Sequence, residues 1–196
     1  MALTFEIMNL FEDALVQYDE LEASFFQVLK GLACLTFRIF YIPFSHISFN
    51  LDRALAWFGS FGATDPDDDS ANILDVKKKQ YRDLIMQNAI PEFDFRCYLF
   101  ARQCQLLGRL HSPVEICRRA QIFISTFGRT IKEHQKNIGE HFLESWIFSS
   151  CMSVVNECEE LVPLTSMDDS NTFSFNAAKG ELLDLARKQV LVFVFL

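Results

Sequence analysis

The stretch PEFDFRCYLFARQCQLLGRL, Pro91 to Leu110, constrains this chain more than any other. Its apolar side chains Phe93, Cys97, Phe100, Cys104 and Leu107 recur at intervals of four, three, four and three, which places them on one face of an α-helix. A second row, Phe95, Tyr98, Leu99 and Leu106, widens that face beyond a two-helix seam. A helix apolar over so much of its surface needs neighbours on two sides. Pro91 suits the first turn, where its missing N–H would have had no acceptor. Asp94 sets a negative charge at the positive end of the macrodipole. Gly108 loosens the far end and Ser112-Pro113 stops it. Arg96, Arg102, Gln103 and Arg109 are expected on the remaining faces.

The same period recurs on both sides. Met8, Phe11, Leu15, Tyr18, Leu21, Phe25 and Val28 predict an amphipathic helix over 5–30, with Glu12, Asp13, Asp19, Glu20 and Glu22 on its wet side. Gln80 to Asn88 reads as a short helix ending at the Pro91 boundary. Residues 113–136 read as the antiparallel partner of 92–110, with Val114, Cys117, Ala120, Ile124, Phe127 and Ile131 as the stripe. A third helix is expected over 140–162, where Phe148, Cys151, Val155, Cys158 and Val162 face in and Pro163 stops the run. A last helix over 175–190 carries Leu182, Leu183, Leu185 and Ala186. Tyr98-Leu99-Phe100-Ala101 and Trp146-Ile147-Phe148-Ser149 match in kind, and Leu106-Leu107 and Val154-Val155 match at the same interval. That echo points to an all-α fold of antiparallel helical hairpins stacked as an α-solenoid-like repeat. An ordinary helical bundle is the alternative. In the stacked arrangement Tyr98, Phe100, Trp146 and Phe148 lie between hairpins.

Two segments break the pattern. Residues 31–53, GLACLTFRIFYIPFSHISFNLDR, form an irregular apolar insert with neither helical period nor steady alternation. A membrane span needs about 20 apolar residues with few interruptions. Arg38, Pro43, His46, Asn50 and Asp52 interrupt this one, so a buried strand pair or an unfolded insert fits it better. The tail Val190 to Leu196, VLVFVFL, is uncharged and β-like, an aggregation hazard where exposed.

The sequence holds no catalytic constellation that chemistry would recognise. Phosphate-binding, nucleophile-elbow and zinc-protease motifs are absent from it. Asp65, Asp67 and Asp69 alternate like the start of a calcium loop, but Ser70 stands where glycine makes the turn and Val76 where a bidentate Glu is needed. They read as a solvated loop, which Lys77, Lys78 and Lys79 are placed to neutralise. His134 and His141 are separated by Gly139, and Cys104 and Cys117 of an imagined triad with His111 belong to core stripes. No cofactor or metal is therefore expected. The formal net charge of −8 argues against nucleic acid as a partner. The cysteines form no C-x-x-C pair and fall largely in apolar stripes, as in a protein of a reducing compartment. The N-terminus has no basic region before an apolar run, unlike a secretory signal. What remains is a surface. Arg118, Arg119, Arg129 and Lys132, with Lys136, form a basic side opposite the stripe of 113–136, fit to receive an acidic partner or anionic headgroups.

Phe11 to Ala23 (FEDALVQYDELEA), Leu55 to Asn72 (LAWFGSFGATDPDDDSAN), Phe93 to Leu107 (FDFRCYLFARQCQLL) and Glu144 to Val155 (ESWIFSSCMSVV) resemble, in order, the large subunit ten of TRAPP II, the transport protein particle. The resemblance implies a scaffold subunit of a tethering complex, peripheral on the cytoplasmic face of the Golgi, from cis-Golgi to trans-Golgi network. That complex activates Rab-family GTPases by nucleotide exchange on small core subunits, so this chain is expected to be non-catalytic. Its expected partners are the other TRAPP II subunits, with the Rab GTPase reached only indirectly and no nucleic acid. The family protein is longer, so 1–196 is expected to be one helical module from its middle. Residues 31–53 and 190–196 depart from the family pattern, the first as an insert and the second as a foreign tail, as translated intron or a faulty gene model would produce. The competing reading is a membrane-associated helical protein anchored by those two apolar segments.

Overall fold

The computed structural model describes residues 1–38, 60–164 and 168–195. Among them are seven α-helices and no strand: α1 (Ala2–Ile7), α2 (Phe11–Arg38), α3 (Tyr81–Met86), α4 (Glu92–Arg109), α5 (Pro113–Glu133), α6 (Phe142–Leu161) and α7 (Asp169–Phe195). The chain divides into two compact units, Met1–Gly62 with Lys77–Leu99, and Ala63–Val76 with Phe100–Leu196. The division falls inside α4.

In the first unit the expected helix over 5–30 is two helices. Asn9 takes a left-handed φ of 59°, which a short polar side chain tolerates, and this separates α1 from α2. Met8 is consequently exposed, and Leu21 is half-exposed. Tyr18 and Phe25 of the expected stripe are buried, joined by Ala14, among the described side chains of α2. Tyr18 donates its hydroxyl to Glu6 Oε1 at 2.8 Å and ties α2 to α1. Phe25 meets Phe95 of α4 edge to face, 4.9 Å between centroids. The backbone of α2 continues through Arg38, so residues 31–38 of the expected insert are helical and 39–53 lie outside the described residues.

Every side chain from Phe93 to Ala101 is buried, including Arg96, which the sequence reading placed on an outer face. Burial of Arg96 is possible because its charge is met locally. Its guanidinium lies 2.6 Å from Glu92 Oε1 and over the Phe25 ring at 5.8 Å. Desolvation pushes the Arg96 guanidinium below its ordinary value, and Glu92, followed by Glu22, opposes that shift. Gln103 is buried as well. Asp94 does more than meet the macrodipole, since Lys79 Nζ reaches its Oδ1 at 2.8 Å.

In the second unit α5 and α6 run antiparallel. The Cys158 thiol donates to the Pro113 carbonyl at one end, and Gly128 faces Ile147 and Leu143 at the other. Between them Trp146 stands edge-on to Phe127 at 5.5 Å and to Phe123 at 6.3 Å. Phe123 in turn stacks on Phe100. Helix α7 packs on both α5 and α6 through Phe175, Ala178, Leu182 and Ala186. This is the all-α, solenoid-like packing of successive helices that the periodicity predicts. Two details differ. Phe148 is 41% exposed, because the buried arc of α6 is centred on Ser150, Cys151, Val154 and Cys158 and Phe148 falls at its edge. Helix α7 starts earlier than expected and runs through Phe195, so the tail expected to be β-like is helical, with Val190, Leu191 and Val192 exposed.

Candidate functional site

Helix α5 presents two opposed faces. Pro113 occupies its first turn, and the inner side buries Ile116, Cys117, Ala120, Phe123, Ile124, Phe127 and Ile131. On the outer side Arg118, Ile122, Ser125, Arg129 and Lys132 follow one another at four, three, four and three residues, so they share one face of the helix. At 1.5 Å per residue that face is about 21 Å long. Arg118, Arg129 and Lys132 are exposed and have no ion-pair partner among the described residues.

Of the four expected contact residues, the structure therefore brings three together. Arg119 is displaced around the helix and is half-buried, its Nε donating to Glu115 Oε1 at 3.0 Å. Lys136 lies beyond α5 in the 3-10 turn Gln135–Asn137. The sequence reading missed Ile122, a large aliphatic side chain 64% exposed in the middle of the basic face. Its signal was its spacing from Arg118 and Arg129, which places it outside the buried stripe.

The other constellations resolve into structure. Asp68 is buried and its carboxylate accepts the Asp65 N–H at 3.1 Å, closing the acidic loop on itself. The carbonyl of Asp69 accepts the Ser149 hydroxyl at 2.6 Å, which fastens that loop to α6. His134 Nδ1 lies 2.9 Å from the Thr130 carbonyl at the end of α5. No group of metal-ligating side chains is found among the described residues. Burial pushes the Cys151 thiol up to about 12. The hydrogen bond shared with Cys117, together with burial, drives Cys158 further up. Thiols held neutral in this way are packing groups, since the thiolate is the nucleophile. No helix among the described residues is long and apolar enough to cross a membrane.

No family model matches the chain, and no solved structure matches it significantly. Relatives match by sequence. The trafficking protein particle complex subunit 10 of Dictyostelium discoideum is 35% identical over 161 residues, which is 82% of this chain and 10% of the relative. The trafficking protein particle complex II-specific subunit 130 homolog of Oryza sativa subsp. japonica is 28% identical over 196 residues, all of this chain and 14% of the relative. The subunit 10 of Mus musculus is 29% identical over 170 residues, 87% of this chain and 12% of the relative. The chain thus spans a small part of the length of the relatives it matches. Taken together, these matches make the chain homologous, over 82% to 100% of its length, to a segment of the trafficking protein particle complex subunits 10 and 130.

Proposed function

We propose that this chain is a non-catalytic scaffold segment of a TRAPP II tethering subunit. It acts at the cytoplasmic face of the Golgi, where the complex promotes Rab GTPase activation through other subunits. The observation that carries this reading is the similarity to subunits of that complex along 82% to 100% of the chain. The packing is in keeping with it. Consecutive helices bury one side against each other and leave an outer side, such as that of α5, for other proteins. Assembly with the remaining TRAPP subunits and peripheral membrane attachment through them follow from the same reading.

The test uses the complete subunit that carries this segment, tagged and expressed in cells. It should co-precipitate the other TRAPP subunits and wash off Golgi membranes in carbonate. Absence of those subunits from the precipitate refutes the scaffold reading, and retention in the carbonate pellet refutes peripheral attachment.

A further inference from the structure

We propose that the outer face of α5, formed by Arg118, Ile122, Arg129 and Lys132, docks an acidic amphipathic helix of another protein subunit. The inference rests on the scaffold reading above and names the chemistry of the partner. Three observations carry it. First, charge on this helix is handled in two ways. Arg119 has its carboxylate in Glu115, one turn away. Arg129 has Glu133 at the equivalent distance along the helix and forms no ion pair with it, and Arg118 and Lys132 have none among the described residues. Arg129 and Lys132 are also like charges three residues apart, a neighbour pair that weakens an isolated helix. Carboxylates from outside would relieve both.

Second, the face has the anatomy of an interface rather than of a solvated helix side. Ile122, 64% exposed, sits between the cations, an apolar centre inside a charged rim. A partner helix with one small apolar side chain bracketed by acids a turn to either side would cover Ile122 and meet all three charges. Third, the face runs against the charge of the molecule. On a chain of net −8, a stripe of three exposed cations, with Glu115 and Glu133 only at its two ends, attracts an acidic partner and favours one orientation of it. A lipid surface is the weaker match. One aliphatic side chain and three cations supply neither a broad apolar insertion face nor a polybasic cluster.

The experiment replaces Ile122 with p-benzoylphenylalanine in the complete subunit within the assembled complex, followed by irradiation and mass spectrometry of the adduct. The expected result is a cross-link to an acidic helical segment of another subunit. The R118E/R129E/K132E variant should lower the yield by about tenfold or more, with an unchanged melting temperature. Exchanging the acids of the cross-linked segment for lysines should restore the yield on that variant. An adduct to a neutral or basic segment, a yield indifferent to charge reversal, or no adduct in a complex that still assembles would overturn the docking proposal alone. So would flotation with vesicles of phosphatidylcholine and phosphatidylserine in equal parts that is lost in the charge-reversed variant. If the subunit fails to assemble at all, the scaffold reading falls and this inference falls with it.

Discussion

Phe100 of α4 and Phe123 of α5 lie parallel, with 3° between their ring planes and 4.3 Å between centroids. Phe123 continues the cluster to Phe127 and Trp146, so one pair of rings links three helices of the second unit. Phe100 is 2% exposed. Phe100→Ala removes the ring and leaves a cavity among rigid neighbours, a change that costs about 3–5 kcal/mol. The whole stability of such a domain is about 5–15 kcal/mol. Phe148 holds the equivalent place in the sequence echo but is half in water, so Phe148→Ala should cost under about 1 kcal/mol. Thermal melting of both variants checks this. Equal losses would mean that the echo, and not the observed burial, describes the packing.

The contrast between these two phenylalanines marks what the sequence could reveal. Periodicity reports which residues share a face, and every member of both apolar rows of α4 is buried as read. It does not report how wide the buried arc is or where its edge falls, and that edge is what exposes Phe148. It also assumes that a stripe belongs to one helix, whereas Asn9 divides the first one through a single left-handed backbone angle. Arg96 defeats the rule that charge faces out, because Glu92 and Phe25 meet its charge in place, and Phe25 is remote in sequence. The uncharged, partly β-branched tail is helical because α7 is already formed from Asp169 onward, and continuing a helix is easier than starting a strand. On α5 the spacing that sets Arg118, Arg129 and Lys132 opposite the stripe also sets Ile122 there, but an apolar side chain is not looked for on a charged face.

Gly62 has φ of +86°, and a Cβ added there would stand 2.6 Å from the Pro91 Cβ. The tight approach is fixed by the adjoining backbone, where the Phe93 N–H donates to the Phe61 carbonyl at 2.9 Å and holds the entering chain on the start of α4. Gly62→Ala meets both a left-handed strain and a clash that only a backbone shift removes. A loss of about 1–3 kcal/mol is expected, read as a lower urea midpoint. A variant as stable as the parent would show that the chain can leave Pro91 without cost.

The Ser149 hydroxyl holds the acidic loop through a single contact to the Asp69 carbonyl. Ser149→Ala should cost about 1 kcal/mol and should raise the rate of limited proteolysis between Asp65 and Ser70. Cleavage at the parent rate would mean that the buried Asp68 carboxylate and the side chains of Ile73 and Leu74 fix the loop unaided.

Cys151 is fully buried in α6 and gives the second unit a dependence on alkaline pH. Its ordinary pKa is 9.0, and burial raises it to about 12 in the folded chain. The folded state therefore holds the thiol proton more tightly than the unfolded state does. The stability tied to this proton is fully present below pH 9 and is lost progressively as pH rises toward 12. The slope is at most about 1.4 kcal/mol per pH unit for one group. Cys158 and Cys117 share a hydrogen bond and shift in opposite senses, and both proteins compared keep that pair. Cys151→Ala should thus lose a little stability at neutral pH through lost packing, yet lose less than the parent on going from pH 9 upward. Urea midpoints for both proteins across that range decide the matter. Parallel curves would show that the Cys151 thiol ionises as readily in the folded chain as in the unfolded one, and that water reaches α6 at this position.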